Sequence, residues 1–114
     1  MANSPSLWSK PEWVTEEEIR SRFNQGRFLE RLQQGQLATH VFGYDTHLNK
    51  RQRQKRQEPK CTRSQMVLYR TLTGEPVALA HQYRRPDGSL GGGGRPDPKR
   101  LLLSDRVIAV RQTP

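Results

Sequence analysis

Residues 65–83 carry the clearest structural pattern of the sequence: QMVLYRT at 65–71 and VALAHQY at 77–83, joined by LTGEP at 72–76. Both outer runs are rich in aliphatic, β-branched and aromatic side chains, and Gly74 and Pro76 lie in the connection, so the pattern predicts an antiparallel hairpin. Because side chains alternate between the faces of a strand, Ala78, Ala80 and Gln82 share one face. The other face carries Val77, Leu79, His81 and Tyr83. The small side chains of the first face would let a helix approach closely.

The segments around the hairpin predict further strands and a helical N-terminal part. Residues 37–44 are β-branched and aromatic, which favours a strand, and residues 101–103 and 107–110 predict a closing strand pair. Thr15, followed by three glutamates, predicts a capping box at the start of a helix. Gly26 leaves two alternatives: a helix ending near Asn24 with a second over residues 27–34, or one helix that tolerates the glycine. The predicted fold class is α+β, a helical segment packed on an antiparallel sheet of three to five strands.

The chain of 114 residues, of which 32% are hydrophobic, has room for one domain. We expect an extended arm at 1–14 and a single α+β domain at 15–114. Two loops interrupt it: a disordered, flexible basic loop at 46–64 and a Gly/Pro-rich loop at 84–98 that holds four consecutive glycines. No stretch approaches the ~20 apolar residues of a membrane span, and no secretory signal is apparent, so we expect no membrane partner. The predicted location is cytoplasmic, or nuclear in a eukaryotic cell.

Positive charge is concentrated in one short block of the chain. The net charge is +9, and residues 50–63 hold seven basic and one acidic side chain, a net charge of +6. Repulsion within the block predicts a solvated segment that binds a polyanion, and phosphate is the natural one because arginine contacts it bidentately. The alternative interpretation is that this block is a charged loop that increases solubility and has no binding partner. The predicted nucleic-acid-binding residues are Lys50, Arg51, Arg53, Lys55, Arg56, Lys60, Arg63, Arg84 and Arg85.

The first functional hypothesis is therefore a small basic module that binds nucleic acid through phosphate contacts, RNA slightly ahead of DNA, with low sequence specificity. Tyr69 and Tyr83 would add base stacking if both point outward. A different hypothesis is an adaptor whose basic loop meets an acidic protein partner. The sequence predicts no particular oligomeric state.

An enzymatic alternative centres on His81, at the end of a predicted strand. His81 would transfer a proton at a ribose 2′-hydroxyl or at the leaving oxygen, while Arg84 or Lys99 stabilises charge on the phosphate. Bacteria use small basic α+β domains of this size as ribonuclease toxins, so the alternative is a metal-independent endoribonuclease of that type. No catalytic motif supports it, and His81 is otherwise interpreted as a half-buried strand residue bonded to a neighbour.

Metal and cofactor sites are not expected. Cys61 and the histidines His40, His47 and His81 lack the paired spacing of metal ligands. The glycine run at 91–94 is followed by Arg95 and Pro96 rather than by a Lys-Ser pair and a helix, so it does not predict a nucleotide-binding loop.

Overall fold

The computed structural model describes residues 4–111. Within this range one mixed sheet has the strand order β1-β6-β5-β4-β3-β2, in which β1 runs parallel to β6 and all other neighbours are antiparallel. None of the helices within residues 4–111 is long and apolar enough to cross a membrane. The elements in chain order are β1 (Glu12–Trp13), α1 (Glu16–Gln25), α2 (Phe28–Gln33), β2 (Leu37–His47), α3 (Lys50–Arg56), β3 (Arg63–Thr71), β4 (Pro76–Arg84), β5 (Asp97–Leu102) and β6 (Val107–Ala109).

The hairpin is confirmed as β3 and β4, with Leu68 opposite Leu79 and Val67 opposite Ala80. Ala78 and Ala80 are fully buried, so the face with the small side chains is the one covered by the helices, a choice that the sequence leaves open. Aromatic side chains pack between the helices and the sheet. The Phe23 ring lies 5.3 Å from the Phe28 ring and meets the Tyr69 ring edge-on at 5.6 Å. The core beneath α1 and α2 comprises Ile19, Phe23, Phe28, Leu29, Leu37, Val67, Tyr69, Ala78, Ala80, Leu101, Ile108 and Val110.

The N-terminal part forms two helices, which is the first of the two alternatives at Gly26. The Thr15 hydroxyl accepts the Glu18 backbone N–H at 3.1 Å, the first half of the predicted capping box. Gly26 ends α1 and donates its N–H to the carbonyl of Arg22. A Cβ at Gly26 would lie 2.6 Å from the Phe28 ring, so glycine is required for the close approach of that ring.

The predicted order of elements, with a helix first, and the predicted number of three to five strands match the structure only roughly. Six strands are present in residues 4–111, and a two-residue strand from the predicted arm, β1, precedes α1 and pairs with β6. Leu7 is fully buried, and the Arg100 guanidinium donates to the carbonyl oxygens of Leu7 and Ser9. Because Leu101 lies in the core beneath the helices, alternation places Arg100 on the opposite face of the sheet. We call this opposite face the open face. Segment 7–9 is therefore docked on it, while predicted arm residues 1–3 lie outside the described range.

The prediction of a disordered basic loop at 46–64 is wrong for most of its length. Residues 50–56 form helix α3, the loop's ends belong to β2 and β3, and Asn49 caps the helix with a complete capping box. The Asn49 side chain accepts the Gln52 backbone N–H at 2.8 Å, and the Gln52 side chain accepts the Asn49 N–H at 2.9 Å. Lys, Arg and Gln are good helix formers, and the cations of the last turn complement the negative end of the helix dipole. These local terms outweigh the mutual repulsion on which the prediction of disorder rested.

The Gly/Pro-rich loop is shorter than residues 84–98. Arg84 still belongs to β4, Arg84 pairs with Leu90 in an isolated bridge, and β5 begins at Asp97 rather than at Lys99. Lys99 is the extra residue of a bulge, because Leu79 lies opposite Arg100 and Ala80 opposite Pro98. Proline lacks an amide hydrogen and is tolerated beside such a bulge.

Candidate nucleic-acid interface

Helix α3 presents its positive charges to solvent. Its sequence KRQRQKR contains no acidic residue, and its side chains are exposed except for the half-buried Arg53. Within residues 4–111 none of its five cations makes an ion pair, and the same holds for Lys60. Of the predicted cations in residues 50–63, only Arg63 has a carboxylate partner, Asp45 at 3.0 Å. The charge of α3 therefore remains available to an external anion.

Glu58, the one acidic residue of the basic block, turns away from α3. Its carboxylate accepts two bonds from the Arg85 guanidinium, at 2.8 and 3.1 Å, and the Gly92 N–H at 3.0 Å. The Glu58 side chain is only 2% exposed, and the Arg85 hydrogen bonds hold the pKa of its carboxyl below the usual value. Its negative charge is thus neutralised by Arg85 and not by α3. Of the two predicted arginines at the end of β4, Arg84 is exposed without an ion pair, whereas Arg85 is already engaged.

A row of rings on the open face continues from the C-terminal end of α3. Arg56 Nε donates to the Tyr83 hydroxyl at 2.8 Å, and the guanidinium lies 5.3 Å from the centre of the Tyr83 ring. The Tyr83 ring meets His81 edge-on at 4.7 Å, and Tyr44 on β2 lies 6.2 Å from His81 on the other side. We call Tyr44, His81 and Tyr83 the aromatic row. A cationic helix and a row of rings are therefore in direct contact.

A second pair of exposed rings comes from the N-terminal segment and β2. Trp8 stacks on Phe42 with ring centres 5.3 Å apart, and the two side chains are 49% and 41% exposed. Phe42 and Tyr44 occur in an irregular part of β2, where the pairing register with β3 shifts between Val41 and Asp45. Gly43 has a φ of 103°, and an isolated glycine in a strand pattern is the sequence signal that would have indicated this bulge. Sequence reasoning assigned neither Phe42 nor Tyr44 to the site.

His81 lies where two adjoining clefts meet. The clefts measure about 380 and 430 Å³, and both are lined by His81, Tyr83 and Asp97. His81 Nε2 is 2.7 Å from the Ser64 hydroxyl, so the histidine is bonded to a neighbour across the hairpin. Half-burial lowers the pKa of His81, the charge of Lys99 lowers it further, and Asp97 opposes the shift. The net shift favours the neutral form of the imidazole.

The structure brings together only part of the predicted catalytic set. Lys99 lines the larger cleft beside His81 and donates to Asp97 at 2.8 Å. Arg84 is absent from the described lining of both clefts, and alternation along β4 directs it away from the His81 face. His40 pairs with Leu68 and His47 with Arg63, so neither histidine joins the aromatic row.

Stacking on bases is conditional on Tyr69 and Tyr83 both pointing outward, and in the structure Tyr83 lies half-buried on the open face beneath the Arg56 guanidinium. Tyr69 is fully buried against Phe23, and burial raises the pKa of its unpartnered hydroxyl. The condition that both tyrosines point outward therefore fails at Tyr69, because its side of β3 faces the helices. Among residues 4–111 no group of three or more His, Cys, Asp and Glu side chains is arranged to hold a metal ion.

The chain matches none of the protein-family models, curated proteins or solved structures with which it was compared. The chemistry of the interface is therefore the basis for assigning a function.

Proposed function

We propose that the protein is a small basic module that binds single-stranded nucleic acid, RNA ahead of DNA, with low sequence specificity. The observation that carries this proposal is the contact between α3 and the aromatic row through Arg56 and Tyr83. Unpaired cations attract the phosphate backbone, and exposed rings beside them accept unpaired bases.

The phosphate contacts are expected to supply most of the affinity. Each cation of α3 that neutralises a phosphate releases condensed counterions, which favours binding without any defined groove. The cations lack carboxylate partners within residues 4–111, so no ion pair of the fold has to break first. Binding through these groups depends strongly on salt and weakly on sequence.

The exposed rings favour a single strand over a duplex. Tyr44 is 42% exposed, and Phe42, which lies two residues before it in β2, is stacked on the exposed Trp8 ring. Several rings are therefore accessible for stacking. Bases in a duplex are already stacked, whereas those of a single strand are free to lie on aromatic side chains. Reading a duplex would call for a recognition helix in the major groove, and the longest helix, α1, begins with three glutamates that phosphates repel.

The first prediction concerns the charge of α3. Titration of the full chain with a fluorescent single-stranded RNA, the matching DNA and the duplex should give affinities in that order at low salt. Replacing Lys50, Arg51 and Lys55 by glutamine keeps the capping box and a good helix-forming composition. We expect weaker binding to all three probes and a salt dependence whose logarithmic slope falls by about 2 for the single strands.

The matched control replaces Lys10, Arg22 and Arg27 by glutamine. These three cations are exposed, lie outside α3 and are in no ion pair of the described residues, so the net charge changes equally. The control variant should retain nearly all affinity and the full salt slope. Equal losses in both variants, or no binding by the unaltered chain, would refute the proposal. Capture of a protein partner that survives nuclease treatment would then favour the adaptor hypothesis.

A further inference from the structure

We propose that the cleft beside His81 cleaves the bound RNA strand, with His81 as the base that activates a ribose 2′-hydroxyl. This inference rests on the proposed function, because RNA must first bind along α3 and the aromatic row. It adds an activity and identifies the substrate class as RNA with a free 2′-hydroxyl.

The first argument is the placement of the imidazole. His81 Nε2 is held at 2.7 Å from the Ser64 hydroxyl, and Nδ1 has no hydrogen-bond partner among residues 4–111. When the Nε2–H donates to Ser64, Nδ1 carries the free lone pair and can accept a proton. The hydrogen bond therefore fixes the ring and leaves one nitrogen available in the cleft.

The second argument is the set of groups around the ring. Cations favour a phosphate in this place, since Lys99 lines the cleft and Arg56 is bonded to the neighbouring Tyr83. Half-burial and these cations lower the pKa of His81 while Asp97 raises it, and the net shift favours the unprotonated base. The titratable and charged groups that face His81 or line its clefts are Glu16 and Arg20 of α1, Tyr44 of β2, Arg56 of α3, Tyr83 of β4, Asp97 and Lys99 of β5, and Arg95 and Arg111.

The third argument is a proton donor that lines the same cleft. The Tyr44 ring lies 6.2 Å from His81, it is 42% exposed, and it lines the same cleft. A phosphate bound in this cleft would have a base and a hydroxyl group within the same cleft. An in-line attack on phosphorus needs one group of each kind, a base at the attacking oxygen and an acid at the leaving oxygen.

The reaction needs no further reactant. His81 Nδ1 takes the 2′-hydroxyl proton as the 2′-oxygen forms a bond to phosphorus. The bond from phosphorus to the 5′-oxygen breaks, its electron pair goes to that oxygen, and the oxygen takes the Tyr44 hydroxyl proton. The products are a 2′,3′-cyclic phosphate and a free 5′-hydroxyl, and transfer of a proton from His81 to the Tyr44 phenolate, through water, restores both groups. Lys99 stabilises the charge that develops on the nonbridging oxygens.

The experiment uses the full chain and two single-stranded oligonucleotides of one mixed sequence, an unmodified RNA and its fully 2′-O-methylated form. We expect cleavage of the RNA alone, in the presence of a metal chelator, with product ends that mass spectrometry identifies as cyclic phosphate and 5′-hydroxyl. Both oligonucleotides should bind. Binding of both without cleavage would overturn this inference and leave the proposed function standing, whereas absence of binding would overturn the proposed function.

The decisive variant is His81→Gln, whose amide can still bond Ser64 but cannot take a proton. Cleavage should fall about 10²- to 10⁴-fold, the range of general acid-base catalysis, whereas RNA affinity should fall far less, because the phosphate contacts of α3 are retained. The matched control is His47→Gln at the exposed end of β2, which should cleave as the unaltered chain does. Tyr44→Phe keeps the ring for stacking and should lower cleavage without lowering affinity. Full cleavage by His81→Gln would overturn the inference, and full cleavage by Tyr44→Phe would overturn the role of Tyr44.

Discussion

Glu58 shows how a single carboxylate determines which cations remain available. It is the one acidic residue between Lys50 and Arg63, and nearness in sequence suggests that it pairs with α3. In the structure it bonds Arg85 and the backbone of Gly92 instead, and a Cβ at Gly91 would lie 2.4 Å from its carboxylate oxygen. Glu58 therefore fixes the end of α3 to the glycine-rich loop and leaves the helix positively charged.

We predict that Glu58→Gln destabilises the fold by about 1.5–3 kcal/mol, because hydrogen bonds between charged groups are lost and Arg85 loses its counterion. Urea unfolding at pH 7 measures the change, with Glu75→Gln in the exposed turn between β3 and β4 as the neutral control.

The pH dependence of this effect has a definite sign. Since the folded state lowers the pKa of Glu58 below 4.5, its contribution is present above that pH and is lost as the pH falls through the folded value. The difference between the unaltered chain and Glu58→Gln should shrink on acidification. A difference that is constant from pH 7 to pH 3 would contradict this assignment.

At the scale of elements, α3 depends on its cap. A seven-residue helix is too short to be stable through propensity alone, and in α3 no residue is buried, so tertiary packing adds little. The reciprocal bonds between Asn49 and Gln52 supply two of the contacts that the first turn lacks. The helix end is fixed by Gln57 in the left-handed conformation and by the Arg56 contact to Tyr83.

We predict that Asn49→Ala loosens α3 without unfolding the sheet, at a cost of about 1 kcal/mol to the helix. Amide hydrogen exchange should become faster at residues 52–57 and stay unchanged in β3 and β4. RNA affinity should decrease modestly, because the cations must be ordered on binding. Gln54→Ala is the control, since it lies in the same helix, is exposed and keeps the cap. Unchanged exchange in Asn49→Ala would show that tertiary contacts hold the helix.

Elements that depend on local interactions are predicted well from the sequence, and those that depend on long-range pairing are not. The hairpin follows from alternation and a turn, which are local, and α1 follows from the cap at Thr15. The signal of α3, the pair of Asn49 and Gln52, is also local, but the prediction of a loop rested on charge repulsion alone and did not include this pair. The parallel pairing of β1 with β6 joins residues almost a hundred positions apart, and two residues carry no periodicity that would indicate it.

Only those residues of the candidate site that are basic or that have a titratable imidazole could be predicted from the sequence. The sequence identified the cations of α3 and singled out His81. Tyr44 reaches His81 only through a bulge in β2, and Arg56 reaches Tyr83 only because residues 50–56 are helical. Contacts of this kind depend on register and element type together, so a pattern within one segment does not contain them.

At the level of the whole molecule, segment 7–9 packs on the open face of the sheet, opposite the face that the helices cover. Leu7 is fully buried outside the core beneath α1 and α2, and Arg100 holds the segment through two backbone carbonyls. A sheet with one covered face needs such a second layer to keep apolar side chains such as Leu68 from water.

We predict that Leu7→Ala destabilises the protein by about 2–5 kcal/mol, the usual cost of removing a buried leucine side chain. The measurement is the free energy of unfolding in urea. Limited proteolysis with chymotrypsin should cut faster after Trp8, because the segment loses its anchor. Leu72→Ala is the control, since Leu72 is 71% exposed and should change stability little. Equal stabilities of the two variants would contradict the docking of segment 7–9.

Strand β2 is the last strand of the order and leaves one side of its backbone unpaired within the described sheet. An exposed edge strand that is long and regular pairs with strands of other molecules, which leads to aggregation. In β2 the register shift at 42–44, with Gly43 at a φ of 103°, breaks the regular spacing of amide and carbonyl groups along the exposed edge. The irregularity that lies beside the exposed rings of Phe42 and Tyr44 thus also removes the regular backbone spacing that a strand of a second molecule would need for pairing.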